Sequence, residues 1–147
     1  MLNPIFRAGI FSWIFCQAIK TVIGIYRKRP HTAKDMLLSL IWTTGGMPSS
    51  HSAVVSSLTT AIGFKEGINS PLFILSLFYS FIIIRDALGV RKAAGTQAIA
   101  INQVLGELYK HFHIRIKPVK EIHGHRISEV FVGIVLGFFL AVAFCNL

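Results

Sequence analysis

The sequence predicts an all-α protein: a polytopic membrane helical bundle with about four spanning helices, one re-entrant or interfacial helix and one amphipathic helix. Three observations predict this class. The chain is 53% hydrophobic. Three apolar stretches are long enough to cross about 30 Å of hydrocarbon at about 1.5 Å per residue. The charged residues collect between those stretches. The length suits one membrane-embedded domain, residues 1–147.

The stretches predicted to span are residues 4–26, 71–90 and 127–146. No small-residue cleavage site follows the first, so it is predicted to be a retained helix and not a signal peptide. A fourth stretch, 48–64, is shorter and rich in Ser and Thr. It would have to span while buried among other helices, with its hydroxyls bonded to its own helix or a neighbour. Gly133 and Gly137 predict a close helix approach in the last stretch.

Two further helices are predicted. Residues 35–44 are apolar but too few to span, which indicates a re-entrant or interfacial helix with Trp42 at headgroup level. Residues 93–112 alternate apolar and polar positions at helical spacing. That pattern predicts an amphipathic helix lying on the membrane or on the bundle.

The charge balance indicates anionic partners, because 15 Lys and Arg stand against 6 Asp and Glu. With four spans, all basic residues but Arg7 and Lys65 share one face, together with the histidines and every acid except Glu66. The positive-inside rule makes that face cytoplasmic. Membrane lipid headgroups or phosphorylated substrates are therefore expected as partners, and nucleic acid is not, since long apolar segments separate the basic residues.

Residues 45–51 read Gly-Gly-Met-Pro-Ser-Ser-His, where a loop is expected to turn into a helix. Free amides in the first helical turn can face an anion, and His51 could give a proton to a leaving oxygen. An ordinary glycine turn, with a histidine whose ring nitrogens are hydrogen-bonded within the protein, explains the pattern equally well.

His125 and Glu129 are four residues apart, so both lie on one face of a helix. Such a carboxylate can hold an imidazole that acts as a nucleophile or base. The alternative is an acid placed in the first turn for the helix dipole.

Three charges lie inside or at the ends of spans. Lys20 either snorkels to the interface or meets an anion, and Arg27 lies two turns beyond it on nearly the same side. Asp86 is expected either to pair with Arg85 or Arg91 or to act in catalysis. The histidines lack metal-ligand spacing, and Cys16 and Cys145 lie in apolar segments, so neither a metal nor another cofactor is predicted.

Three ordered motifs carry a family resemblance: Gly-Gly-Met-Pro-Ser-Ser-His-Ser-Ala at 45–53, Asp86 with Gly-Val-Arg-Lys-Ala-Ala-Gly at 89–95, and Lys-Glu-x-x-Gly-His-x-x-x-Glu-Val at 120–130. With them, residues 20–137 resemble the divergent branch of the type-2 phosphatidic acid phosphatase superfamily. That superfamily is related to acid phosphatases and vanadium haloperoxidases.

The resemblance implies a membrane phosphatase, independent of metal, that cleaves a phosphorylated lipid through a phosphohistidine. It implies His125 as the nucleophile, Glu129 as its orienting partner and His51 as the acid that protonates the leaving alkoxide. The phosphate would contact Lys20, Arg27, Ser49, Ser50 and Arg91, with Asp86 and Lys120 in structural or catalytic roles.

The sequence departs from the superfamily pattern at several positions. Lys28 replaces a proline, Ser50 replaces a glycine, and Pro118 and Val119 occupy the places of a Ser-Arg pair. Lys117, Lys120, Arg91 and Arg126 are the candidates for the lost cation, and the sequence does not choose among them.

The alternative function is a non-catalytic membrane protein that binds or moves a phosphorylated lipid or anion. Haloperoxidase chemistry would share the pocket but suits a short, apolar chain poorly. The expected location is the bacterial cytoplasmic membrane with the active face in the cytoplasm, and a homo-oligomer is left open.

Overall fold

The computed structural model describes residues 3–28, 46–121 and 124–146, and all regular structure in these ranges is helical. The helices are α1 (Pro4–Lys28), α2 (Ser50–Glu66), α3 (Pro71–Arg85), α4 (Arg91–Phe112) and α5 (Ile127–Asn146), with a π-helical turn, Asp86–Val90, between α3 and α4. The predicted all-α class is confirmed. The predicted helix at 35–44 lies outside the described residues.

Three segments are long and apolar enough to cross a membrane: Pro4–Tyr26, Pro71–Phe112 and Ile127–Asn146. They contain the three stretches predicted to span. Large apolar side chains such as Phe15, Phe78 and Phe139 stay exposed on them, as lipid contact requires. The chain is therefore a membrane helical bundle.

Helix α2 lies at the centre of the bundle, in contact with α1, α3 and α5. It has 17 residues, so its crossing of the membrane stays a prediction. Its hydroxyls bond to neighbouring helices: Ser56 Oγ donates to the Ile134 carbonyl at 2.8 Å. Thr59 Oγ1 donates to the Ser76 carbonyl at 3.2 Å and lies 2.8 Å from Ser80 Oγ. These bonds explain how a Ser-rich and Thr-rich helix can be buried among apolar ones.

The contact between α2 and α5 depends on two glycines. A Cβ added at Gly133 would lie 2.5 Å from the Ser49 carbonyl oxygen, and one added at Gly137 would collide with the carbonyl oxygen of Ala53. The backbone of α2 therefore lies directly against α5. This is the close approach that the glycine spacing predicted.

The sequence predicted two separate helices at 71–90 and 93–112, but the structure joins them. Asp86 and Val90 both keep right-handed helical backbone angles, and the Arg91 amide donates to the Asp86 carbonyl in the five-residue pattern of a π turn. Gly89 alone does not break a helix that has neither a proline nor a cap there. The continuous helix of 42 residues is about 63 Å long, roughly twice the hydrocarbon thickness, so α4 extends beyond the hydrocarbon.

Candidate active site

The starts of α2 and α5 meet at one end of the bundle. The backbone N–H of Ser49, the residue that caps α2, donates to the backbone carbonyl of Glu129 in the first turn of α5 at 2.9 Å. Both Ser49 and the neighbouring Pro48 are fully buried. This hydrogen bond places His51, in the first turn of α2, and His125, just before α5, at the same end of the bundle.

Glu129 organises the start of α5. Its Oε2 accepts a hydrogen bond from Nδ1 of His125 at 2.9 Å and another from the backbone N–H of Arg126 at 3.2 Å. The second bond satisfies an amide that the helix itself leaves free, as the glutamate of a capping box does. Glu129 therefore serves the helix dipole and the histidine together, so the two sequence interpretations are not exclusive.

His125 is fixed from two directions. Its side chain is only 5% exposed, and its backbone N–H donates to the Ala87 carbonyl in the π turn at 3.3 Å. An ionised carboxylate only accepts hydrogen bonds, so Nδ1 carries the proton when Glu129 is charged. In a neutral imidazole with this tautomer Nε2 carries the lone pair, and the carboxylate stabilises any positive charge that develops on the ring.

Lys20 reaches this group of residues from α1. It is 5% exposed, and its Nζ donates to Ser50 Oγ at 3.2 Å. Its charge also interacts with the carboxylate of Glu129. The Ser49 hydroxyl, by contrast, accepts from Ser52 Oγ at 3.0 Å and caps the helix, so Ser50 is the hydroxyl that meets the lysine. A buried amine held in this way is directed to the helix starts instead of snorkelling to the interface.

Several charged groups surround His51, which lies outside the three membrane-crossing segments. Partial burial lowers the pKa of His51, and the nearby charges of Arg91, Lys20 and His125 lower it further, while Asp86 opposes them. Arg91 Nε lies 3.3 Å from Asp86 Oδ2 across the π turn. Asp86 thus pairs with Arg91, as one sequence interpretation proposed, and the pair also lies within electrostatic reach of His51.

A cleft of about 700 Å³ opens beside His125, between α4 and residues 124–128. Lys92, Thr96, Arg126 and Ser128 are among its lining residues. At one edge of the cleft, Gly124 approaches the α4 backbone so closely that an added Cβ would lie 2.7 Å from the Lys92 amide nitrogen. Lys92 was not among the predicted site residues, since a contact made through a glycine leaves no periodic signal in the sequence.

The structure brings most of the sequence-predicted site residues to this end of the bundle: Lys20, Ser49, Ser50, His51, Asp86, Arg91, His125 and Glu129. Arg27 lies in the last turn of α1, and its side chain is outside the described part of the chain. Lys120 lies on an exposed segment and is not brought into this group. Within residues 3–28, 46–121 and 124–146, no three His, Cys, Asp or Glu side chains lie close enough to hold a metal ion.

Comparison with known proteins indicates the family of this chain. A family model described as "Divergent PAP2 family" matches residues 1–140. The "Uncharacterized membrane protein YuiD" of Bacillus subtilis (strain 168) is 35% identical over 144 residues, which cover 90% of this chain and 88% of that protein. No solved structure matches the chain.

Proposed function

Because the chain belongs to the divergent PAP2 family, we propose that it is a membrane phosphatase that removes phosphate from a phosphorylated lipid through a phosphohistidine. The observation that carries the proposal is the 2.9 Å contact between His125 Nδ1 and Glu129 Oε2 at the end of the bundle where His51 and Lys20 also lie. A nucleophile, its orienting acid, a proton donor and a cation are the groups that this reaction needs.

The phosphate would sit among the helix starts. Lys20 and Ser50 lie on one side of this position, and the first amides of α2 offer donors to an anion. Arg91 lies within electrostatic reach of His51, and Arg27 is the further candidate from α1. Phosphoryl transfer depends chiefly on positioning and on cations around the equatorial oxygens. The arrangement of Lys20, Ser50 and Arg91 supports a site of this kind.

The proposed reaction has two steps. Nε2 of His125 attacks phosphorus, the bond from phosphorus to the lipid oxygen breaks, and His51 gives its proton to the leaving alkoxide. Glu129 stabilises the positive charge on the His125 ring during this step. Water then attacks the phosphohistidine, the bond from phosphorus to nitrogen breaks, and inorganic phosphate leaves while His51 recovers a proton.

The proposed location is the bacterial cytoplasmic membrane, with the site facing the cytoplasm. The basis is the positive-inside rule: the site lies at the end of the bundle that carries Lys92, Arg126 and most other basic residues, while Lys65 lies at the opposite end of α2. A phosphorylated lipid would reach this site from the cytoplasmic leaflet.

The direct test is phosphate release by protein purified in detergent, with phosphatidate, phosphatidylglycerophosphate and polyprenyl diphosphate as substrates. We expect release from at least one of them, inhibition by vanadate, and a phosphorylated protein that can be trapped by rapid quenching. Vanadate binding with turnover at background for every substrate would contradict the proposal and would support the alternative of an anion-binding or lipid-moving protein.

Replacing Lys20 with methionine is expected to lower kcat/KM by about 10²-fold, because one fixed cation is lost from the developing charge on the phosphate. The measurement is the rate of phosphate release at low substrate concentration. Lys65→Met is the matched control: Lys65 donates to the Cys145 carbonyl at 3.2 Å, at the far end of the bundle. An equal loss in both variants would show a general effect of removing a lysine and would count against a phosphate contact.

The pH dependence of kcat/KM should report the protonation of His51. As its pKa is lowered, the protonated form is lost at a pH below the ordinary value of about 6.5. We therefore expect kcat/KM to fall as the pH rises through a midpoint below about 6.5, since the free enzyme then lacks its acid. Arg91→Gln removes a cation that lowers this pKa, so it should move the midpoint to higher pH. A midpoint that does not move in Arg91→Gln would contradict the assignment.

A further inference from the structure

The chain from the end of α4 back to the site forms an exposed segment, residues 113–120, which we call the return segment. His113 ends α4 with a left-handed φ of 54°. Gly124 then contacts Lys92, so the chain returns along α4. The return segment itself contains no regular secondary structure.

Side chains on α4 hold the return segment in place. The Asn102 side chain accepts from the Val119 amide at 2.8 Å and donates to the Val119 carbonyl at 2.9 Å. Nearer the helix end, the Arg115 guanidinium donates to the Tyr109 hydroxyl at 3.1 Å and lies 5.3 Å from the centre of its ring. The return segment is therefore a defined surface of the protein.

The composition of this surface alternates between apolar and basic. Ile114 and Ile116 are 48% and 54% exposed, and Arg115 and Lys117 alternate with them. Arg115 is bound to Tyr109, whereas Lys117 and Lys120 are exposed, so the isoleucines lie beside two exposed cations. Phe112, at the end of α4, is 68% exposed and continues the apolar set. The sequence from 108 to 120 contains no acid.

We propose that the return segment and Phe112 dock on the anionic headgroup layer of the membrane that the bundle crosses. Exposed apolar side chains interleaved with cations suit the boundary between headgroups and hydrocarbon. There the apolar side chains contact the acyl chains and the cations bind anionic headgroups. A second copy of the same surface fits poorly, because cations would face cations. Docking requires α4 to incline toward the membrane plane, and the π turn at Asp86–Val90 is the kind of position at which helices bend. This inference does not depend on the proposed phosphatase activity.

The test is hydrogen–deuterium exchange of the full-length protein in lipid nanodiscs. Discs of phosphatidylcholine are compared with discs containing about one third phosphatidylglycerol. The amides of residues 113–117 should exchange about 10-fold more slowly, or slower still, in the anionic discs. Raising the salt to about 0.5 M should remove much of this protection by screening. Neither arm requires a variant to fold.

Lys117→Gln combined with Lys120→Gln should reduce the difference between the two kinds of disc, while Lys65→Gln, at the opposite end of the bundle, should preserve it. Equal exchange in both kinds of disc would overturn the proposal. Protection that appears only when two proteins share a disc, whatever the lipid, would also overturn it and would indicate contact between copies.

Discussion

Phosphate release is expected to fall by about 10³-fold or more when His125 is replaced by asparagine, because the attacking nitrogen is lost. The backbone N–H of residue 125 would still donate to Ala87, so the start of α5 should keep its position. The measurement is kcat for the best lipid substrate, together with rapid-quench detection of phosphorylated protein. Both signals should disappear in His125→Asn.

The matched control is His113→Asn, which removes an exposed imidazole in the return segment. Asparagine tolerates the left-handed backbone that residue 113 adopts, so this variant should fold and should keep the wild-type kcat in detergent. The kcat of Glu129→Gln should lie between those of His125→Asn and His113→Asn, because an amide oxygen can still accept a hydrogen bond from Nδ1 but brings no negative charge. If His125→Asn and wild type release phosphate equally, the histidine mechanism is wrong.

The second large effect is expected on folding, from adding one methyl group to α5. Gly137→Ala places a Cβ against the Ala53 carbonyl, a rigid backbone atom that cannot rotate away as a side chain would. Overpacking of a core usually costs about 1–3 kcal/mol, and a collision with backbone should lie at or above the upper end of that range. The thermal unfolding temperature in detergent should fall markedly, with loss of the monodisperse peak in gel filtration.

Gly24→Ala in α1 provides the control, because an added Cβ there meets no atom within 4 Å. It should unfold at the wild-type temperature or above, as alanine favours a helix over glycine. Gly133→Ala presses on the Ser49 carbonyl, so it should also shift the start of α2 and lower phosphatase activity in the molecules that remain folded. A Gly137→Ala protein as stable as wild type would contradict the close approach of α2 and α5.

Much of the fold could be predicted from the sequence because the length and composition of apolar stretches report directly on membrane crossing. The His125–Glu129 contact could also be predicted from the spacing of four residues. The predicted reason was wrong, because His125 lies just before α5 and not on its face, and Glu129 reaches back to it as it does to the Arg126 amide. The continuity of α3 and α4 could not. Charged residues and Gly89 suggested a boundary, and a π turn has no sequence signature of its own.

The convergence of the site was harder to foresee. The bond from Lys20 to Ser50 and the bond from Ser49 to Glu129 join helices that are far apart in sequence, and hydropathy carries no information about which helices touch. The family motifs suggested that these residues act together. Their distances follow from backbone packing through Gly133 and Gly137, where the decisive feature is an absent side chain.

Lys20 has one more consequence, for how the bundle assembles. A transmembrane helix with an entirely apolar surface can rotate about its own axis at little cost in free energy. With Lys20 buried, such a turn would swing an ammonium group toward the acyl chains, at several kcal/mol by translocon-based scales. Burial of Lys20 therefore fixes the rotation of α1 about its own axis within the bundle.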